Sequence, residues 1–269
     1  MSNIWPSVQA VFMPWSVQYE GAIFWMYADI LGLITTGIGN LIDPIDRALE
    51  LPWQHLDGTV ATEDEIREAW YAVKNDPAAA SKGAGYAKGL TDLRLSEPDV
   101  AKLVARRLEE NGDALTARFP DFPAWPADAQ LATLSMAWAM GAGFKFPNFE
   151  AAVQAMDFAA AAAECTIREE GNPGVVARNK ADRILFYSAA DVINAGGDPS
   201  QLTHDYSGLK TPGGDGIKPG SSGRVPWGAI WAAVGMGLLG VAIVTPGTIL
   251  GPLALLASVI KGGARRLGA

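Results

Sequence analysis

Over most of this chain apolar residues recur at helical spacing, and only near its start do they run together briefly as strands do. Val100, Leu103, Val104 and Leu108 line one face after Ser96-Glu97-Pro98-Asp99, which predicts a helix with Pro98 at an early position where its missing N–H costs nothing. Thr62-Glu63-Asp64-Glu65 reads as a capping box opening a helix to about Asn75. Pro77 fits that end because it pushes Asp76 out of helical geometry. Residues 77–89 are rich in Ala and Gly and predict a loop. Residues 126–140 are apolar almost all round (Leu131, Leu134, Met136, Ala137, Trp138), the pattern of a central core helix, and Gly141-Ala142-Gly143 stops it. Helices over 148–170 and 178–195 follow, the second closed by Gly196-Gly197. Arg178 and Asp182 stand one turn apart on it, which predicts an exposed i,i+4 pair.

The first residues differ. Residues 7–20 are apolar and interrupted by Pro14, which predicts one or two helical turns ending at Glu20. Two short β-branched and aromatic runs, 24–27 and 34–38, flank a turn at 28–32 and predict a hairpin. The expected fold is α+β and mostly helical, with a small β-hairpin sheet at one edge of a helical domain spanning 1–205. Residues 206–224 contain six Gly, two Pro and three Ser without apolar periodicity, a flexible linker. Residues 225–260 are then 36 positions without a charge, which predicts a transmembrane-like helical segment or hairpin in a tail over 225–269. Thr245-Pro246-Gly247 divides the run.

Charge changes the picture further. The chain carries −8 overall; residues 206–269 hold six Lys/Arg against one acid, a net +5, so residues 1–205 carry −13. An acidic front part argues against nucleic-acid binding. It also gives poor electrostatic steering onto an anionic surface. Cys165 is the only cysteine, so no internal disulfide forms, and its Ala-rich helical surroundings at 159–170 predict a buried structural thiol. His55 and His204 have no partner pattern for metal or triad chemistry and read as surface or loop residues. The first six residues carry no basic region, and no long apolar core precedes Glu20, so no cleavable signal peptide is expected.

The candidate chemistry lies in EGAIFWMYADILGLITTGIGNLID, residues 20–43. Glu20, Asp29 and Thr35 follow one another at nine and six residues, beside a Gly-rich turn at 36–40. Two carboxyls and a hydroxyl on adjoining short elements are the minimum set for splitting a glycosidic bond, and their spacing fits a sugar hydrolase without establishing one. One carboxyl stays protonated to supply the leaving oxygen, and the other stays ionised on the opposite face of the sugar.

This segment resembles the active-site region of the phage-type lysozymes. There a Glu ends the first helix, an Asp sits in the turn of a hairpin, and a Thr on the next strand precedes Gly-Ile-Gly. Glu20, Asp29, Thr35 and Gly37-Ile38-Gly39 match without a gap, and Tyr27 falls where the family often has Tyr. The family usually continues with His, where this chain has Asn40. A second stretch, Gly174-Val175-Val176-Ala177-Arg178-Asn179-Lys180-Ala181-Asp182, is similar to a Gly-Leu-Val-x-Arg-Arg-x-x-Glu run late in many members.

The resemblance implies a muramidase cleaving the β-1,4 bond between N-acetylmuramic acid and N-acetylglucosamine. Glu20 would be the general acid in a partly apolar setting near Phe24 and Trp25. Asp29 and Thr35 would orient a water for inverting attack, with Tyr27 and Asn40 at the substrate. No metal or organic cofactor is implied. The partners expected are bacterial peptidoglycan, a membrane through residues 225–260, and other virion proteins. The location expected is a phage virion or the host envelope, acting at genome delivery or at lysis. Two rivals stand beside this reading: a glycan-binding structural protein that does not cut, and a membrane-docking or pore-forming protein in which the lysozyme part only clears the wall.

Overall fold

Pro6 opens the first helix, α1 (Pro6–Glu20), which runs through Pro14 for 15 residues instead of the one or two turns expected. An interior proline costs about 3 kcal/mol or more. Here Val8, Phe12, Trp15 and Val17 are all buried, with Phe12 lying 5.1 Å from the Trp138 ring, and that packing offsets the lost bond. The computed structural model describes residues 2–170 and 174–209. Most of the expected linker, and the whole apolar tail, lie outside the described residues.

After α1 the chain forms β1 (Ile23–Ala28) and β2 (Ile34–Gly37), antiparallel with Tyr27 opposite Thr35 and Ala28 opposite Ile34. Ala28 belongs to the strand, so the turn is shorter than the one expected, beginning at Asp29. A third strand, β3 (Asn40–Leu41), pairs Thr36 with Asn40 and Thr35 with Leu41. Two residues are too few to show a strand pattern in a sequence. The sheet is three-stranded in the order β1-β2-β3, and the described chain is α+β and mostly helical.

A single helical turn, α2 (Asp46–Leu49), leads towards α3 (Glu63–Lys74), where both hydrogen bonds of the Thr62–Glu65 capping box form and Asn75 ends the helix. The segment expected as a loop holds two one-turn helices, α4 (Ala79–Lys82) and α5 (Ala84–Ala87). Helix α6 (Glu97–Arg118) is capped by Ser96, whose hydroxyl accepts from the Asp99 N–H. Helix α7 (Ala127–Met140) has every residue but Met140 buried, as its all-round apolar pattern predicts. Its buried polar side chains are partnered at its N-terminal end. Gln130 accepts from the Trp5 N–H at 2.9 Å, and Asp128 accepts from Thr203.

The helix expected over 148–170 is two, α8 (Pro147–Gln154) and α9 (Phe158–Glu164). Met156 takes a positive φ of 55°, and the Asp157 carboxylate accepts from the Ala160 N–H at 2.9 Å, starting a new helix. Cys165 follows α9, buried as expected. The last helix, α10 (Val175–Ala195), closes on Gly196 in left-handed geometry. It packs against α7 and α9, while α1 and α6 also contact α7. The sheet therefore sits at one edge of a bundle built around α7.

Candidate active site

Glu20 is the last residue of α1, and Gly21 with φ 69° turns the chain from helix to strand there. This conformation is open to glycine and strained for other residues. The Glu20 side chain is only 3% exposed. Its Oε1 accepts a hydrogen bond from Arg178 Nη2 on α10, forming a buried ion pair. Arg178 also donates from Nη1 to the Ser135 carbonyl at 3.2 Å, and its guanidinium lies 5.5 Å from the Tyr19 ring centre. The exposed Arg178–Asp182 pair expected from spacing is therefore corrected. Both residues are buried, and the arginine's ion-pair partner is Glu20. Packing of α10 against α7 turns that face inward, and a one-turn spacing carries no information on which face is covered.

Asp29 is fixed locally. Its Oδ1 accepts from the Leu31 and Leu33 N–H groups, both at 2.8 Å, while its own N–H bonds to the Leu33 carbonyl and its carbonyl accepts from Gly32. Oδ2 accepts no hydrogen bond among the described residues. Burial pushes the Asp29 carboxyl above its usual range, while the Leu33 and Leu31 N–H groups and the Lys74 ammonium pull it down.

Thr35 faces Tyr27 across the sheet and donates from Oγ1 to the Leu33 carbonyl at 3.3 Å. Paired residues of an antiparallel ladder share a face, so Tyr27 and Thr35 stand on the same side. Burial raises the Tyr27 phenol, and the charges of Glu20 and Asp29 raise it further. Tyr27 thus feels the charges of both carboxylates and has Thr35 as its ladder partner.

Asn40 spends its Oδ1 on the turn, accepting from the Ile38 N–H at 3.2 Å. A Cβ on Gly37 would stand 2.8 Å from that oxygen, so glycine is required for Asn40 to fold over the turn. Two further side chains hold it: Trp138 Nε1 donates to the Ile38 carbonyl at 3.0 Å, and Arg107 Nη1 to the Gly39 carbonyl at 2.8 Å.

Arg107 was not among the expected site residues. It also bonds the Trp138 carbonyl at 3.0 Å and stacks 4.2 Å from the Trp138 ring centre. Burial pushes its guanidinium down to about 10, against the charges of Glu20 and Glu110. Its signal was present: position 107 continues the buried face of Val100, Leu103 and Val104, and a cation there needs a reason. Among the described residues no three His, Cys, Asp or Glu side chains converge as metal ligands. The chain matches no family model, no curated protein and no solved structure.

Proposed function

We propose that this chain is a peptidoglycan hydrolase, a muramidase of lysozyme-like fold that cleaves the β-1,4 bond between N-acetylmuramic acid and N-acetylglucosamine. The observation that carries the reading is the placement of a buried Glu20 at the end of α1, Asp29 in the hairpin turn that follows, and Thr35 opposite Tyr27 in that hairpin. Glu20 gives a proton to the leaving oxygen. Asp29, with its free Oδ2, and the Thr35 hydroxyl orient a water on the other face of the sugar. Inversion follows where the two carboxyls stand roughly 6.5–9.5 Å apart, leaving room for that water. Tyr27 stands beside Thr35 in the same hairpin, and Asn40, Trp138 and Arg107 keep the adjoining turn rigid.

Clearing of a cell-wall suspension tests the assignment. Glu20→Gln cannot supply the proton, and the rate should fall by about 10²–10⁴-fold, the usual worth of general acid catalysis. Equal rates in the two proteins would remove Glu20 from the acid role. Binding to the wall without clearing, in wild type and variant alike, would favour the glycan-binding rival.

A second component rests on the sequence of residues 225–260, whose 36 uncharged positions favour attachment to a membrane. Among the described residues no helix is long and apolar enough to cross one. A wall-cutting domain followed by a Gly/Pro/Ser-rich segment and a membrane-seeking sequence suits a phage protein of the virion or the host envelope. Dye leakage from liposomes, with and without residues 225–269, reads this component separately from wall clearing.

A further inference from the structure

Behind Glu20 lies another buried carboxyl, Asp182, which the proposed reaction does not use. It is fully buried on α10, and neither of its oxygens has a hydrogen-bond partner among the described residues. The Ser16 hydroxyl is buried and unpartnered as well, and the Ser135 hydroxyl lies near enough to Asp182 to lower its carboxyl. Arg178, one turn before Asp182, bonds Glu20 and the Ser135 carbonyl and makes no ion pair with Asp182. An ionised carboxylate is costly in such a place, so burial favours the protonated form of Asp182. Burial raises its carboxyl to about 7, with Arg178 and then Ser135 pulling it down.

The catalytic acid poses the opposite problem. An arginine hydrogen bond favours the ionised form of the carboxyl it touches, and an acid catalyst must hold a proton to give. One guanidinium thus serves two buried carboxyls: it bonds Glu20 and its charge acts on Asp182 one helical turn away.

Resting on the muramidase reading, we propose that Asp182 is a positioning residue for Glu20: it is the alternative seat for Arg178, and transfer of the guanidinium from Glu20 to Asp182 frees Glu20 to hold the proton given to the leaving oxygen. Side chains four residues apart on a helix are within reach of each other, so the exchange needs rotation about side-chain bonds only. The O–H bond on Asp182 breaks and one on Glu20 forms, with the proton carried by water entering the site. Arg178 stays protonated, and the net charge of the three groups does not change.

The other groups facing this trio keep their charge as it operates. Tyr19 on α1 and Cys165 beside α9 are each raised to about 12, chiefly by burial. Tyr27 on β1 is raised for the same reason, and Arg107 on α6 is lowered only to about 10. Burial raises the Asp29 carboxyl, against its Leu33 and Leu31 backbone hydrogen bonds and Lys74, and Glu169 and Glu110 are the other carboxyls nearby.

Carboxyl-carbon NMR on the full-length chain in detergent tests the exchange without reference to activity. In Glu20→Gln, Arg178 loses its ionised partner and turns to Asp182. The Asp182 titration midpoint should then fall by at least about one pH unit, a tenfold change in proton affinity. Asp182→Asn offers Arg178 no charged seat, so kcat should fall at least about tenfold with KM unchanged, and Asp182→Glu should restore most of it. An unmoved Asp182 midpoint in Glu20→Gln overturns the exchange whatever the activity. A wild-type kcat in Asp182→Asn overturns the positioning role. A moved midpoint in a chain that never clears walls overturns the muramidase reading alone.

Discussion

Glu20 and Asp29 are nine residues apart in the chain and are held in place by different means. Asp29 is fixed from within its own turn, by N–H groups two and four residues away. Glu20 is fixed by a guanidinium 158 residues further along the chain, on a helix that reaches it only through the packing of α10 against α7. The two carboxyls differ accordingly in what would disturb them. The Asp29 turn is held mainly by its own backbone donors, with Lys74 of α3 bonding the Gly32 carbonyl, whereas the setting of Glu20 depends on the assembled bundle. The contrast suits their proposed roles. The group that stays ionised is fixed by backbone donors that do not move, and the group that must change protonation is held by a side chain that can.

The sharpest way to break this comparison is Arg178→Ala. Removing one partner of a buried ion pair typically costs about 3–5 kcal/mol, and urea unfolding should register a loss of that order. A loss below about 1 kcal/mol would mean that Glu20 does not depend on the distant helix.

A pH series sharpens the same side. The Asp182 carboxyl is raised from 3.8 to about 7, so the folded chain holds this proton longer than the unfolded chain. Its contribution to stability is fully present below pH 3.8 and is lost as pH rises through about 7. Wild type should therefore lose melting temperature relative to Asp182→Asn over that interval. Parallel curves for the two proteins would show that the carboxyl is not perturbed in the fold.

Asp29 should respond more mildly and in two separable ways. Asp29→Asn keeps an Oδ1 acceptor for Leu31 and Leu33, so stability should change by less than about 1 kcal/mol while wall clearing falls steeply. Asp29→Ala removes both bonds and should cost about 1–3 kcal/mol. Equal unfolding curves for the two variants would show that the turn does not need the side chain.

The smallest effect is expected from cutting the chain near Gly213. Gly/Ser/Pro segments couple domains loosely, so the released front part should clear walls at close to the rate of the full chain, while residues 225–260 partition with membranes. Failure of the front part to fold would show that one or both carboxyl settings require the tail.

Local chemistry determined a large part of this protein. The capping box at Thr62, the start at Ser96, the all-round apolar α7 and the glycine stop at Gly196 were legible because each depends on residues within one or two turns. The positions of Glu20 at a helix end, Asp29 at a hairpin turn and Tyr27 and Thr35 on its strands were legible because these elements are consecutive. Tertiary structure decided the rest. It carried α1 through Pro14 by burying Phe12 and Trp15, and it added β3 once β2 offered an edge. It also turned Arg178 and Asp182 inward and set Arg107 against the turn at Gly39. Periodicity places side chains on the faces of a helix, but which face meets another element is decided by contacts between residues far apart in the chain. The sequence therefore offered the carboxyls as candidates, and only the packed bundle revealed which charges they face.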